Sequence, residues 1–384
     1  MRILMISDVY FPRVNGVSTS IQTLRRSLHE AGHDSILVAP DYPGASPDPA
    51  IQRVAGWAVP RDPEDRLMRP HALYHALERL RPADFDVVHI HTPFLAHRAG
   101  VRWARRHDLP AVETYHTLFE GYFHHYFPWL PQAWLALLAR RISRRQCDKV
   151  GAVIAPSTAM RDKLAEYGVT TPMQVIPTGL PLQDFQGGDG AAFRRRHGIP
   201  LDRPLLLYVG RVAHEKNIGF LISVLAHLRT AHPDALLLIA GEGPALPALR
   251  MQADAQGLGD QIRFLGYLQR GAPLHDCYCA ADVFVFASRT ETQGLVLLEA
   301  MALGIPVVAQ AHLGTADVLK EGEGCLIAPD DPVAYARRVA ELLDNREKAR
   351  QLGARGSIYA REWSTVRMAQ RMLGLYSSLG STHA

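Results

Sequence analysis

The sequence predicts an α/β protein built from two doubly wound parallel sheets. Three observations predict it. Short runs rich in Val, Ile and Leu alternate with stretches of helical period. The alternation stops at an irregular stretch near residue 180 and then restarts. The chain has 384 residues, 47% of them hydrophobic, which is enough for two or three folded domains. In the first half, Ile3–Ile6, Ile36–Ala39, Val87–His91 and Ala111–Tyr115 read as strands, with an amphipathic helix over Val17–Ala31 among them. In the second half the strands are Leu205–Val209, Ala235–Ala240, Ile262–Leu265, Asp282–Phe286 and Pro306–Ala309, followed by a helix over Asp331–Asp344. Between the halves lie Pro177-Thr178-Gly179-Leu180-Pro181 and Gly187-Gly188-Asp189-Gly190, a composition that suits neither helix nor strand. The expected domains are therefore 1–178 and 191–355, joined by a hinge over 179–190. A last helical segment, 356–384 with its period read from Ala354–Leu379, either covers the surface or returns to the first domain.

Composition excludes several classes. The 42 Lys+Arg and 38 Asp+Glu leave a formal charge of +4, spread evenly: 21 basic and 19 acidic residues lie on each side of residue 190. Neither half is a polycation, so no nucleic-acid partner is expected. Cys147, Cys277, Cys279 and Cys325 have no C-x-x-C spacing and read as reduced, buried thiols of a cytoplasmic protein. The start, Met1-Arg2-Ile3-Leu4-Met5-Ile6-Ser7-Asp8, meets an acid after a short apolar run, and no run of about 20 apolar residues follows, so neither a signal peptide nor a membrane span is expected.

In open parallel sheets ligands bind beyond the carboxyl ends of the strands, so the chemistry is expected in the loops after strands, on the walls of a cleft between the two sheets. After Leu205–Val209 come Gly210-Arg211 and then Lys216, where a guanidinium fork and a point charge suit a diphosphate. After Asp282–Phe286 come Glu291 and Gly294-Leu295-Val296, with Glu299 further along a helix expected to start at Gly294. A helix start presents free amides and a positive dipole end to an anion. Taken singly, Glu299 fits a solvated helix face equally well, and Arg211 a surface ion pair.

Together, Gly210-Arg211, Lys216 and the E-x7-E spacing from Glu291 to Glu299 resemble the family 4 retaining nucleotide-sugar glycosyltransferases of the two-domain GT-B fold. The resemblance implies that Arg211 and Lys216 hold the donor diphosphate and Glu291 the donor sugar. It also implies that Glu299 holds the ribose and that Gly294, Leu295 and Val296 supply backbone amides. Where the family usually has an aromatic this chain has Gln293, which bears on donor identity. Gly241-Glu242-Gly243-Pro244 lacks the third glycine of a dinucleotide fingerprint and is similar to the G-x-G-P with which the family shapes its donor pocket.

In the first half, Asp8-Val9-Tyr10-Phe11-Pro12-Arg13-Val14-Asn15-Gly16 leads from the first strand into a helix. Read alone, Gly16 is either a structural turn or a point of close approach by an anion. In the family the loop usually carries two glycines that touch the diphosphate; here the first is Asn15, and the role passes to Gly16 alone. His116 ends the strand Ala111–Tyr115, and its H-T-x-x-E-x-Y neighbourhood resembles the family branch that glycosylates membrane lipids. There the equivalent of His116 lies beside the donor sugar. His89 and His91 share a strand face as a metal pair does, but no third ligand at suitable spacing accompanies them. The acidic pairs Asp84/Asp86 and Asp330/Asp331 sit in loops. No metal or other cofactor is expected.

From His97 to Lys149 nine basic residues stand against four acidic ones, a net +5. Arg140, Arg141, Arg144 and Arg145 follow an apolar half-helix, and Phe119, Tyr122, Phe123, Tyr126 and Trp129 precede it. Aromatics beside arginines suit the headgroup boundary of an anionic bilayer; read alone, they also fit core aromatics beside a solvated arginine face. The expectation is a hexosyltransferase using a UDP-glucose or GDP-mannose type donor and a lipid acceptor such as diacylglycerol or a glycolipid, peripheral on the inner face of the cytoplasmic membrane. A soluble glycan acceptor, an epimerase or hydrolase on the same fold, and a non-catalytic nucleotide-sugar-binding scaffold are the alternatives.

Overall fold

The computed structural model describes residues 1–59, 62–116 and 132–380, the side chains of 62–65, 132 and 133 excepted. The chain divides into two compact units, Met1–Gly179 with Thr365–Ala384, and Leu180–Ser364.

The first unit carries β1 (Arg2–Ile6), β2 (Asp34–Pro40), β3 (Ile51–Val54), β4 (Gly56–Val59), β5 (Asp62–Met68), β6 (Val87–Ile90), β7 (Ala111–Thr114), β8 (Ala152–Ala155) and β9 (Met173–Val175). Seven of these form a parallel sheet in the order β3-β2-β1-β6-β7-β8-β9, while β4 and β5 pair as a separate antiparallel ribbon. The interior strand β1 is apolar without alternation after Arg2, and Ile3, Leu4, Met5 and Ile6 are fully buried because helices cover both faces. The second unit carries β10 (Leu205–Val209), β11 (Leu236–Ala240), β12 (Ile262–Gly266), β13 (Val283–Phe286), β14 (Val307–Ala309) and β15 (Cys325–Ile327). They form a parallel sheet in the order β12-β11-β10-β13-β14-β15. In both sheets the strand order reverses beside the first strand, the switch point at which this architecture opens for ligands.

Two expectations change. The stretch 179–190, read as a linker, packs into the second unit from Leu180 onward. Leu180 N–H donates to the Trp363 carbonyl at 2.7 Å. Gly188 and Gly190 lie so close to the backbone of His275 and Cys279 that an added Cβ would sit 2.6 Å and 2.1 Å from their atoms. These glycines serve close approach. The expected single helix over Ala354–Leu379 is two helices, Arg346–Tyr359 and Thr365–Gly380, separated by a 3-10 turn over Ala360–Trp363 and an extended Ser364. The break is where the chain crosses between units, so a tertiary requirement overrides the helical period. The last helix buries Met368, Met372, Leu375 and Tyr376 in the core of the first unit, with Ile3, Met5, Ile21 and Leu24. The four cysteines are unpaired; Cys147, Cys277 and Cys325 are buried and Cys279 is half-buried.

Candidate active site

In the second unit, β10 is followed by Gly210, whose φ of 149° is open to glycine. The loop that follows lies directly on the loop after β11. A Cβ on Gly241 would be 1.9 Å from the Gly210 carbonyl oxygen and one on Gly243 2.4 Å from that of Val212. The Val212 amide donates to the Glu242 carbonyl at 2.8 Å, and the Ala245 amide to the Val212 carbonyl at 3.0 Å. The Gly241-Glu242-Gly243 motif thus fixes the backbone that presents Arg211.

The expected cations each meet a carboxylate. Arg211 Nη2 donates to Glu215 Oε1 at 2.8 Å and Lys216 Nζ to Glu291 Oε1 at 2.6 Å. Burial works against charge on Glu215, yet its own amide and the Arg211 guanidinium hold its carboxyl below the usual range. A 3-10 turn over His214–Lys216 and the left-handed Asn217 (φ 55°) aim Lys216; the Asn217 side-chain amide locks the turn on the Ala287 carbonyl at 3.2 Å. The fold therefore brings Lys216 and Glu291, 75 residues apart in sequence, into direct contact.

Gly294, with φ 88°, caps the helix Leu295–Ala302, and Leu295 and Val296 are its first two residues. Gln293 just before it is buried. Glu299 is not on a solvated face: it is 2% exposed, and its two oxygens accept from Arg270 Nη2 and the Tyr278 hydroxyl, each at 2.9 Å. Burial, and then Glu299, push the Tyr278 phenol up, so it stays protonated and donates. Arg270 keeps its charge against burial because Glu299 faces it. Glu215, Arg270 and Tyr278 were not singled out from sequence. Arg270 lies in the loop after β12, where the rule of post-strand loops pointed, and Tyr278 on the helix Ala272–Ala280 that follows it.

In the first unit Asn15 is a helix cap: its Oδ1 accepts from Ser18 N–H at 2.8 Å and starts the helix Gly16–Glu30. Gly16 has no positive φ, and a Cβ there would meet nothing within 4 Å. A structural turn does not require this glycine. Asp8, ahead of this loop, is half-buried and desolvation pushes its carboxyl up to about 6, while the Thr92 hydroxyl (2.8 Å) and Ala96 amide (3.1 Å) donate to it. His116, after β7, stacks on His91, with ring centroids 5.8 Å apart, and burial pushes it down to about 4. His89 spends both ring nitrogens within the protein, on Tyr376 and Thr114, each at 2.7 Å. Among the described residues no three His, Cys, Asp or Glu side chains group as metal ligands do.

The helix Gln132–Cys147 exposes Trp134 (74%), Leu137 (66%) and Leu138 (49%), and at three- and four-residue spacing Arg141, Arg144 and Arg145 continue the same face. Arg140 is exposed and lies over the Tyr167 ring, and Arg144 pairs with Asp148 at 3.5 Å. Phe119, Tyr122, Phe123, Tyr126 and Trp129 lie outside the described residues. No described helix is long and apolar enough to cross a membrane.

Residues 14–184 match the family description "Glycosyltransferase Family 4", and residues 189–358 match "Glycosyl transferases group 1". An alpha-monoglucosyldiacylglycerol synthase of Streptococcus pneumoniae is 32% identical over 81% of this chain and 71% of its own. A GDP-mannose-dependent alpha-mannosyltransferase of Mycobacterium tuberculosis is 29% identical over 99% of this chain and 97% of its own. The structure of a sucrose-phosphate synthase from Thermosynechococcus elongatus, 24% identical, superposes over 99% of both chains with a TM-score of 0.79, which shows the shared two-sheet fold. With both of its units matched in order, the chain belongs to the family 4, group 1 glycosyltransferases.

Proposed function

We propose that the protein is a retaining, metal-independent hexosyltransferase. It moves a sugar from a UDP-glucose or GDP-mannose type donor to a hydroxyl of a membrane lipid, forming an α-linkage. The observation that carries this reading is the meeting of Lys216 and Glu291 at 2.6 Å, three residues ahead of the helix cap Gly294. As the bond between the anomeric carbon and the diphosphate oxygen breaks, negative charge gathers on the diphosphate and positive charge on the sugar. Arg211, Lys216 and the amides of Leu295 and Val296 stabilise the departing diphosphate. Glu291 accepts from a hydroxyl of the donor sugar, His116 contacts that sugar, and Glu299 takes the ribose while Arg270 and Tyr278 hold its carboxylate in one orientation. Gly16 and Gly210 let backbone approach the phosphates. The acceptor hydroxyl adds from the face the diphosphate leaves, and its proton passes to the departing phosphate oxygen.

A lipid acceptor is supported by the exposed apolar and cationic face of Gln132–Cys147 and by the streptococcal relative, named for a glucosylated diacylglycerol. On this reading the protein works as a peripheral protein on the inner face of the cytoplasmic membrane. The test is nucleoside diphosphate release from UDP-glucose and GDP-mannose, with and without lipid extract. Release that rises with lipid supports the proposal. Equal release without any acceptor means a hydrolase or epimerase, stimulation only by a soluble glycan means a soluble acceptor, and no release from any donor means a binding scaffold.

Two further outcomes are expected. Turnover should survive exhaustive chelation; a loss restored by added divalent metal would move charge stabilisation away from Arg211 and Lys216. Gly16→Ala should melt no lower than the parent, because alanine is the better helix former and meets open space. Its KM for the donor should nevertheless rise roughly tenfold, about 1.4 kcal/mol, as the added methyl holds the phosphates away. An unchanged KM would remove Gly16 from the donor site.

A further inference from the structure

Four aromatic side chains in the first unit, Tyr376, His89 and His91 buried and His116 half-buried, form one continuous row. Tyr376, on the helix Thr365–Gly380, has its hydroxyl 2.7 Å from His89 Nδ1, and Thr114 Oγ1 lies 2.7 Å from His89 Nε2. With a partner on each nitrogen, the plane of the His89 ring is fixed. The His91 ring lies on it, centroids 4.0 Å apart and 31° between planes. His116 stacks on the far side of the row, 5.8 Å from His91 at 24°.

This arrangement is costly as packing alone. His89 and His91 are 0% and 1% exposed. Both ring nitrogens of His91 and Nε2 of His116 are buried without a hydrogen-bond partner among the described residues. Leaving a buried polar atom unpaired typically costs about 1–3 kcal/mol, so an apolar side chain would serve a core better. Burial keeps all three rings neutral, pushing His89 down to about 3 and His116 to about 4. Neutral offset stacking then orients His116 from inside the unit.

We infer that Tyr376, His89 and His91 are positioning residues that set the ring orientation of His116. The inference rests on the reading of His116 as a contact to the donor sugar. Tyr376 acts without touching His116: its hydroxyl fixes His89, His89 carries His91, and His91 carries His116.

The test uses the full-length protein with ring-labelled histidine. The His116 resonance is assigned by its loss in His116→Gln. In Tyr376→Phe, which removes one hydroxyl and keeps the ring, the His116 carbon-bound ring proton should shift. The kcat should fall roughly fivefold, a coupling typical of residues in one contact chain, with little change in donor KM. The same substitution made on top of His116→Ala should cost no further turnover. His91→Phe, which restores a stacking ring, should recover turnover lost in His91→Ala. An unmoved His116 resonance, equal losses from Tyr376→Phe in both backgrounds, or equal losses in His91→Phe and His91→Ala would overturn the inference. If His116→Ala itself kept full turnover, the sugar-contact reading would fall, while the resonance shift would still report the positioning.

Discussion

Lys216→Ala is expected to lower donor turnover roughly a hundredfold, about 3 kcal/mol, while the purified protein melts near the parent temperature. In the proposed reaction the Lys216 ammonium faces charge that grows only as the diphosphate leaves, so its removal should fall on kcat more than on binding. The side chain is 19% exposed and lies outside the apolar core, which is why the fold should survive its loss. Glu291→Ala should show a similar loss. The two effects should not add, because each variant already breaks the 2.6 Å contact that orders the other partner. Near-parental transfer by either variant would take that residue out of the site. Strict additivity would mean that the contact between Lys216 and Glu291 orders neither side chain for catalysis.

Reversing charge at Arg141 and Arg145 is expected to weaken binding to anionic vesicles by one to several orders of magnitude. Each basic residue near an anionic surface contributes about 1 kcal/mol, and reversal replaces attraction with repulsion. These two arginines are the better choice because Arg144 is tied to Asp148 at 3.5 Å and Arg140 lies over Tyr167. Raised salt should mimic the substitutions, since exposed charges are screened within about 8 Å at physiological ionic strength. Donor hydrolysis in water should change little, because Arg211 and Lys216, the cations proposed to hold the diphosphate, belong to the other unit, whereas transfer to a bilayer-embedded lipid should fall along with vesicle binding. Intact vesicle binding and lipid transfer in the double reversal would discard the membrane reading and favour a soluble acceptor.

The parts of the fold that were legible are those that repeat one physical signal. Ile3–Ile6 of β1, together with β10 and β13, are buried on both faces and so appear as unbroken apolar runs. β3, at the sheet edge, carries Gln52 and Arg53, and β9 and β15 are three residues each, too short for any period to show. The pattern of Glu291 and Glu299 was visible, but their surroundings were not. Glu299 became a buried ion-pair partner because Arg270 and Tyr278 arrive from 29 and 21 residues upstream. Glu215 stayed hidden because an acid beside two cations has no signature until the turn at Asn217 folds it back. Gly241 and Gly243 resemble the family's G-x-G-P in sequence, and the structure shows why glycine is needed there: an added Cβ would sit 1.9 and 2.4 Å from backbone oxygens of the neighbouring loop.

The return of Thr365–Gly380 to the first unit has a consequence for the order of events during synthesis. The second unit is one unbroken length of chain, Leu180–Ser364, and can close as soon as it has emerged. The first unit emerges earlier and waits. Until residues 365–380 are made, the surface that receives Met368, Met372, Leu375 and Tyr376 stays uncovered, with Ile3, Met5, Ile21 and Leu24 beneath it. His89 likewise lacks the phenol that anchors it. The half of the enzyme that begins translation is thus the last to finish folding, and the ribosome has passed through the whole of the other half before the apolar face of the first is sealed.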